Sequence, residues 1–396
     1  MAGTLAAAID GACTILGIAG LAYLALAIWC VRRFRSASAP GLPSDPPPLT
    51  VLKPLCGDEP RLYECLRSFC IQDYPGMQLV CGLSAADDEA ALIVRRLMRE
   101  FPDLDIRLVA DDRAHGSNRK VSNLINMMAQ AKHDLLVVSD SDVKIEGAEF
   151  LRRVAEMLAD GAIGAVTCPY RGLPEAGIAN ALGALLIDDW YFPQALIARR
   201  LGPVESCFGP VTALRRAALE RIGGFEALAN QLADDHMLGQ LIAASGYRVV
   251  LGGAVAGTVV AEDLRSLMRR ELRWSRTIRA TQPVGHFGGI VTHALPIVAG
   301  LGALRPSAAT GLLVLALLVL RLALRRLVHG RLQQGGPAHG WLVPLRDALC
   351  LAVWMASYIG RGVVWRGQVF AIAKNGALIA RGRSLPFRPL ARASAR

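Results

Sequence analysis

Three acidic clusters and one basic run carry the residue types that do chemistry in this chain of 396 residues. Asp140-Ser141-Asp142 follows the apolar run Leu135 to Val138. Two carboxylates two positions apart are costly to bury unless a cation lies beside them. A hard divalent ion such as Mg²⁺ takes one or two carboxylates and completes its shell with phosphate and water oxygens. Ser and Asp also favour turns and helix caps, so a plain turn is the competing reading. Asp87-Asp88 follows a second apolar run, Leu79 to Leu83. Asp88 reads as a helix cap or as a carboxylate that bonds a nucleotide base or ribose. Asp234-Asp235-His236 opens a helical pattern. These acids cap that helix or, placed in a cleft, supply a general base, which needs only reach to the proton and a suitable pKa. His236 is a weak metal-ligand signal, because the chain has no HxxxH or HExxH.

The basic residues lie at Arg270, Arg273 and Trp274, within a run from Asp263 to Ala280 that also holds Arg265, Arg269, Arg276 and Arg279. Helical spacing brings Arg269, Arg273 and Arg276 near one side. One reading is an amphipathic helix lying on anionic lipid with Trp at the interface. The other is a guanidinium fork that neutralises a departing diphosphate. Gly116-Ser117-Asn118-Arg119-Lys120 precedes another helical pattern. It either cradles phosphate with Lys120 and helix-start amides or is an ordinary capped loop.

These residues need a scaffold to gather them, and residues 49–285 supply its pattern. Short β-like runs at Thr50–Leu52, Leu79–Leu83, Ile106–Val109 and Leu135–Val138 alternate with helical patterns at about 59–71, 87–101, 120–131 and 148–158. Such alternation predicts an α/β fold with a mainly parallel sheet. In an open sheet of this kind, ligands bind beyond the C-terminal strand ends, where Asp88 and Asp140–Asp142 fall.

Hydrophobic residues make up 53% of the chain and charged residues 19%, which excludes a disordered chain and sits poorly with an ordinary soluble enzyme. The apolar excess gathers in long stretches. Ala12 to Val31 has bilayer length and is followed by Arg32, Arg33 and Arg35, so the positive-inside rule predicts a retained anchor with the rest of the chain in the cytoplasm. Gly288–Leu304 and Ala308–Leu324, divided by Pro306, predict a membrane hairpin closed by Arg325 and Arg326. Leu342–Val364 contains Arg346, Asp347 and Arg361 and predicts a tilted, re-entrant or interfacial segment. Residues 361–396 carry eight basic residues and no acidic one, which favours a cytoplasmic C-terminus and one C-terminal segment that does not fully cross. The net charge of +11 therefore collects near the membrane segments, and no basic stripe with aromatics marks a nucleic-acid site. Nine scattered cysteines without a CxxC pair exclude a disulfide framework.

Together the motifs form an ordered set: Lys53-Pro54-Leu55, QDYP at 72–75, Asp88, GSNRKVSNL at 116–124, DSD at 140–142, CFGPVTALRR at 207–216, GGFEALANQLADDHMLG at 223–239 and RRELRW at 269–274. The set resembles family-2/21-type inverting glycosyltransferases with a GT-A fold, and most of all the ceramide glucosyltransferase group. Within that group it is similar to bacterial hopanoid-biosynthesis-associated glycosyltransferases. The resemblance spans about 49 to 285. It implies that Asp88 contacts the nucleotide, that Asp140 and Asp142 hold Mg²⁺ or Mn²⁺, and that Asp235 is the general base with Asp234 beside it. Lys53, Asn118, Lys120 and Asp140 are then expected at the nucleotide sugar. Arg270, Arg273 and Trp274 match a (Q/R)xxRW motif on the diphosphate and acceptor side, with Arg in the first place. Eukaryotic ceramide enzymes resemble DSG at the position of Asp140–Asp142, so the acceptor stays open.

The layout expected is a transmembrane anchor over 1–35, a Pro-rich linker over 36–48 and a cytoplasmic GT-A domain over 49–262. An interface helix at 263–285, a membrane-associated region at 286–373 and a basic tail at 374–396 follow. The implied activity is transfer of one sugar, GlcNAc or glucose, from its UDP form to a lipid hydroxyl at the bacterial inner membrane. Bacteriohopanetetrol is the first acceptor and ceramide the second. A processive polysaccharide synthase needs more spans, and an inactive scaffold does not need every acidic position filled.

Overall fold

A computed structural model describes residues 2–34, 46–57, 59–332, 335, 339–360, 362–365, 368–373 and 377–384. Residues 36–45 of the expected linker and 385–396 of the expected tail lie outside them.

Helix α1 (Ala2–Arg33) leads, through the linker, into the alternating region. There β1 (Leu49–Pro54), α2 (Leu62–Cys70), β2 (Met77–Leu83), α3 (Ala90–Glu100), β3 (Asp105–Ala110), α4 (Arg119–Met127) and β4 (Leu135–Ser139) follow in turn. Every residue of β1, β2 and β4 is buried, as expected for strands covered on both faces. The chain continues through β5 (Val143–Ile145), α5 (Phe150–Met157), β6 (Ile163–Thr167), β7 (Tyr170–Pro174) and α6 (Ile178–Leu186). A π-helical turn (Ile187–Tyr191) passes into α7 (Phe192–Leu201). Next come β8 (Val211–Arg215), α8 (Arg216–Arg221), α9 (Asp234–Ala244), β9 (Arg248–Leu251) and β10 (Ala256–Val260).

The main sheet has seven strands in the order β3-β2-β1-β4-β8-β6-β9. It is mainly parallel, and only β8 runs against its neighbours β4 and β6. A smaller sheet, β5-β10-β7, flanks it. The main apolar core packs α2, α3 and α5 against β1, β2 and β4 through Leu66, Phe69, Val94 and Leu151. Each such fully buried side chain contributes roughly 1.5–3 kcal/mol.

After the sheet come α10 (Leu264–Thr281), α11 (Pro283–Gly288), α12 (Ala294–Leu304), α13 (Ala308–Arg331) and α14 (Val343–Ser357). Asp263 caps α10 by accepting from Ser266 N at 2.6 Å, and Ser307 caps α13 by accepting from Thr310 N at 3.1 Å. Among the described residues, two helical stretches are long and apolar enough to cross a bilayer, Ala7–Arg33 and Pro283–Leu304. The second half of the expected hairpin, α13, departs from the expectation because it carries Arg321 and Arg325 buried inside the protein. Arg325, expected to close the hairpin in the cytoplasm, pairs with Asp188 and Asp189 of the π-helical turn at 3.5 and 3.1 Å. Arg321 pairs with Asp189 at 3.1 Å and Asp347 at 2.9 Å. Buried charges of this kind persist only when paired.

Helix α14 has 15 residues, about 22 Å at 1.5 Å per residue and shorter than the roughly 30 Å hydrocarbon core. The chain then leaves the helix for an antiparallel sheet of β11 (Gly362–Trp365), β12 (Gln368–Ile372) and β13 (Leu378–Ser384). Helical structure thus ends before Val364, and β13 falls within the residues expected as a tail. Leu378 N donates to Asn230 O at 2.9 Å, so this sheet packs against the loop before α9. The expected lipid-facing helix at 263–285 also differs. Leu267, Glu271 and Thr277 of α10 are buried, and Glu271 binds Arg346 of α14 through two N–H bonds of 2.8 and 2.7 Å. All nine cysteines are free, and only Cys56 is exposed.

Candidate active site

Two of the three acidic clusters, Asp140–Asp142 and Asp234–Asp235, converge. Strand β4 ends at Ser139, leaving Asp140 and Asp142 in the turn before β5. Lys53 anchors that turn from below: its Nζ donates to Ser139 Oγ at 3.1 Å, Asp140 O at 2.6 Å and Val143 O at 3.1 Å. The side chain is fully buried, and burial lowers its pKa to about 8 against the opposing pull of Asp142 and Asp140. Lys53 therefore holds the acidic turn in place. Its three donors, expected at the nucleotide sugar, have partners within the protein.

Lys120, in the first turn of α4, reaches across from the other side. Its Nζ lies 2.6 Å from Asp140 Oδ1 and 3.4 Å from Asp234 Oδ2. Burial opposes this ammonium, yet Asp140 and Asp234 hold its pKa above the usual lysine value. Asn118 caps α4 by accepting from Val121 N at 3.1 Å, while its Nδ2 donates to Gln231 O at 2.8 Å and to Asp234 Oδ1 at 3.2 Å. The loop at 116–120 thus ties α4 to the loop before α9, which presents Asp234 and Asp235.

Asp140 and Asp235 meet at Gly209. A Cβ placed on Gly209 would lie 3.3 Å from Asp235 Oδ2 and 3.6 Å from Asp140 Oδ2. Burial first, then Asp234, push the Asp235 carboxyl up to about 6, opposed by Lys120 and by the His236 N–H that donates to Asp235 Oδ1 at 2.8 Å. Asp142 is pushed up to about 7 by burial, Asp140 and Glu59, against Lys53 and Arg270. Asp142 thus has its ionisation held back, while its neighbour Asp140 is paired with Lys120. Oxygen-only donors suit Mg²⁺ or Mn²⁺. Among the described residues no three His, Cys, Asp or Glu side chains form a closed metal cage, so the pair would share an ion with other oxygens.

On α10, the Arg270 guanidinium stacks 4.9 Å from the Trp274 ring centre and places Nη1 3.2 Å from Glu262 Oε1. Its Nε and Nη2 are buried with no hydrogen-bond partner, an arrangement that favours an incoming anion. Trp274 meets Tyr191 edge-on at 5.6 Å. Arg273 is half-buried near Glu262. Arg276 and Arg279 of the same helix donate to Ile359 O, Gly362 O and Gly360 O beyond α14.

Asp88 sits apart from this cluster and acts as a clamp. Its two oxygens accept from Gly57 N at 3.0 Å each, and Oδ1 accepts from Ala90 N at 2.9 Å. Gly57 takes φ +73°, a left-handed conformation suited to glycine. Asp88 therefore fixes the loop after β1 against the start of α3.

Sequence reasoning missed Tyr170, Phe208, Gly209, Glu59 and Glu262. Tyr170 packs 6.5 Å from Phe208, and burial together with the charges of Asp235, Asp140 and Asp142 raises its pKa. Gly209 was quoted inside CFGPVTALRR, and a glycine beside an aromatic before a strand was the available signal. Tyr170 carried none. A cavity of about 580 Å³ lies beside β7 and α6, lined by Arg171, Leu185, Arg325 and Trp341, and no member of the acidic motifs lines it.

A family model, "Glycosyl transferase family 21", matches residues 12–378. A Caenorhabditis elegans protein named ceramide glucosyltransferase 1 is 24% identical over 68% of this chain and 58% of its own length. An N-acetylglucosaminyltransferase of Rhizobium meliloti is 26% identical over 58% of this chain and 55% of its own length. The chain thus matches little more than half the length of these curated relatives. A mannosyltransferase from Pyrobaculum calidifontis, solved with GDP-mannose and Mn²⁺, superposes with a TM-score of 0.53 at 20% identity, over 89% of this chain and 99% of its own. That likeness speaks for the fold.

Proposed function

The chain belongs to glycosyl transferase family 21, and from that premise we propose that it moves one sugar from a UDP-sugar to the hydroxyl of a membrane lipid with inversion at the anomeric carbon. The observation that carries this reading is the meeting of Asp140 and Asp235 at Gly209, with Lys120 bridging Asp140 and Asp234.

Asp235 takes the proton from the acceptor hydroxyl as the new bond forms. Burial keeps this carboxyl a better base than a surface aspartate, with a pKa nearer the working pH. Lys120 and Asn118 orient Asp234 and hold the loop at a fixed distance from β4. Asp140 and Asp142 would hold Mg²⁺ or Mn²⁺, whose charge stabilises a departing diphosphate. Arg270, with two unpartnered nitrogens, donates to anionic oxygens on the same side, while Trp274 limits the guanidinium to one plane. Asp88 orders the loops expected at the nucleotide.

Relatives named ceramide glucosyltransferases support a long-chain lipid alcohol as acceptor and glucose as donor sugar. The relative named N-acetylglucosaminyltransferase supports GlcNAc. Bacteriohopanetetrol rests on the motif resemblance alone. The stretches Ala7–Arg33 and Pro283–Leu304 support an attachment that keeps the cleft beside a bilayer.

The test is an assay of detergent-purified protein with UDP-glucose and UDP-GlcNAc against ceramide and bacteriohopanetetrol, read by lipid mass spectrometry. One glycolipid, lost with EDTA and reduced about 10²–10⁴-fold in Asp235→Asn, is the expected outcome. A ladder of longer glycans would replace single transfer by a processive synthase. Full activity in Asp235→Asn would remove the base from the scheme.

A further inference from the structure

The loop that delivers Asp234 and Asp235 is held from two sides. On the inner side, Asn118 N donates to Ala229 O at 2.8 Å, Ser117 N donates to Asn230 Oδ1 at 3.0 Å and Asn118 Nδ2 donates to Gln231 O at 2.8 Å. On the outer side stands the C-terminal sheet. Leu378 N donates to Asn230 O at 2.9 Å, Gln231 forms an antiparallel bridge with Ala377, and Leu232 is buried among Val363, Phe370 and Leu378.

The same sheet is fastened to the helix that carries Arg270, Arg273 and Trp274. Arg276 donates through Nη1 to Gly362 O at 2.5 Å and through Nη2 to Ile359 O at 2.7 Å, and Arg279 Nη2 donates to Gly360 O at 2.8 Å. Ala280, at the end of α10, packs against the cluster around Leu232. Three short strands thus bridge the base loop and the arginine helix. Those are the two elements that must stand at a set separation if a hydroxyl is to be deprotonated while a diphosphate departs.

We infer that strands β11–β13 form a brace that fixes the distance between Asp235 and the Arg270–Trp274 face, making the residues of these three strands positioning residues for transfer and not for donor capture. The inference rests on the reading of Asp235 as the base. Its physical basis is that reacting groups need placement within a fraction of an ångström, so a slackened brace lowers turnover while the donor contacts expected at Asp140 and Lys120 persist.

The experiment compares Phe370→Ala, which empties the centre of the brace, with Arg276→Ala, which releases its other end. UDP affinity in the presence of Mn²⁺ is measured by calorimetry. The transfer rate is measured on ceramide or bacteriohopanetetrol, whichever the unaltered protein glycosylates. Both variants are expected to lower kcat about tenfold or more with the UDP Kd within about twofold, and Phe370→Leu is expected to restore most of the rate. Unchanged kcat in both variants overturns the brace. So does a loss of UDP affinity in step with kcat, which marks a merely structural role. Asp235→Asn, run alongside, tests the base assignment alone: if it stays active while the brace variants fail, the assignment falls and the hold on the cleft remains.

Discussion

Asp140 and Asp235 stand on different loops, yet both point an oxygen at the α-carbon of Gly209, within 3.6 and 3.3 Å of where a β-carbon would sit. In the proposed scheme, the space left by the missing side chain receives the sugar and its acceptor. Gly209 has no left-handed φ, so alanine fits its backbone. Gly209→Ala is therefore expected to fold normally and to lose about a hundredfold in kcat by displacing a carboxylate or a substrate. A circular dichroism melt beside a turnover assay checks it, and wild-type turnover would rule out crowding at this point.

The acid limb of the pH profile should belong to Asp235. With its carboxyl pushed up to about 6 by burial and by Asp234, the ionised base fills as pH rises through that value. Then kcat/KM is expected to fall by about tenfold per unit below it and to level off above it. Asp234→Asn removes one source of the upward push, so the limb should move to lower pH. An unshifted or upward-shifted limb in that variant would assign the titration elsewhere.

Lys53 touches the acidic turn only from beneath, through Ser139, the Asp140 carbonyl and the Val143 carbonyl. Lys53→Met keeps the apolar stem and removes these bonds. Mn²⁺ affinity is expected to drop about 10–100-fold, the usual effect of losing a group that orients ligands. Titration of Mn²⁺ followed by electron paramagnetic resonance reads this directly, and unaltered affinity would leave Lys53 with a packing role alone.

Arg346 and Glu271 form a fully buried two-bond pair between α14 and α10. Arg346→Met strands the carboxylate and is expected to destabilise the fold by about 3–5 kcal/mol. The double variant Arg346→Met/Glu271→Leu should recover most of that loss, since neither charge remains buried alone. Thermal unfolding in detergent, across the four members of the cycle, measures the coupling.

Sequence periodicity made β1 to β4 and α2 to α5 legible because each carries an apolar face of regular spacing. Asp140, Asp142 and Asp235 were legible through their order along the chain, and the structure draws Asp140 and Asp235 together at Gly209. The antiparallel course of β8 was not legible, since direction depends on which strands flank it. The bonding of Lys53 was not legible, because its three acceptors lie 86, 87 and 90 positions away in sequence. Arg346 and Asp347 read as interruptions in a membrane stretch, and Arg325 as the cytoplasmic close of a hairpin. Their partners Asp188, Asp189 and Glu271 lie far away in sequence, and Asp188-Asp189 in an apolar run was the signal that something cationic had to meet it. The strands at 362–384 were hidden because Val363 and Val364 continue an apolar stretch, and only contact with Leu232 turns them into a sheet.

Arg346 and Asp347 are neighbours on α14, about 100° apart around its axis, and they reach different elements: Glu271 on α10 and Arg321 on α13. The guanidinium partners described for Asp189 and Glu271 all come from α13 and α14. Ribosomal synthesis runs from the N-terminus, so the π-helical turn and α10 emerge well before these arginines do. The nascent chain therefore carries these two acids ahead of their guanidinium partners, and their pairing with α13 and α14 comes late in biogenesis, timed by the C-terminal third of the message.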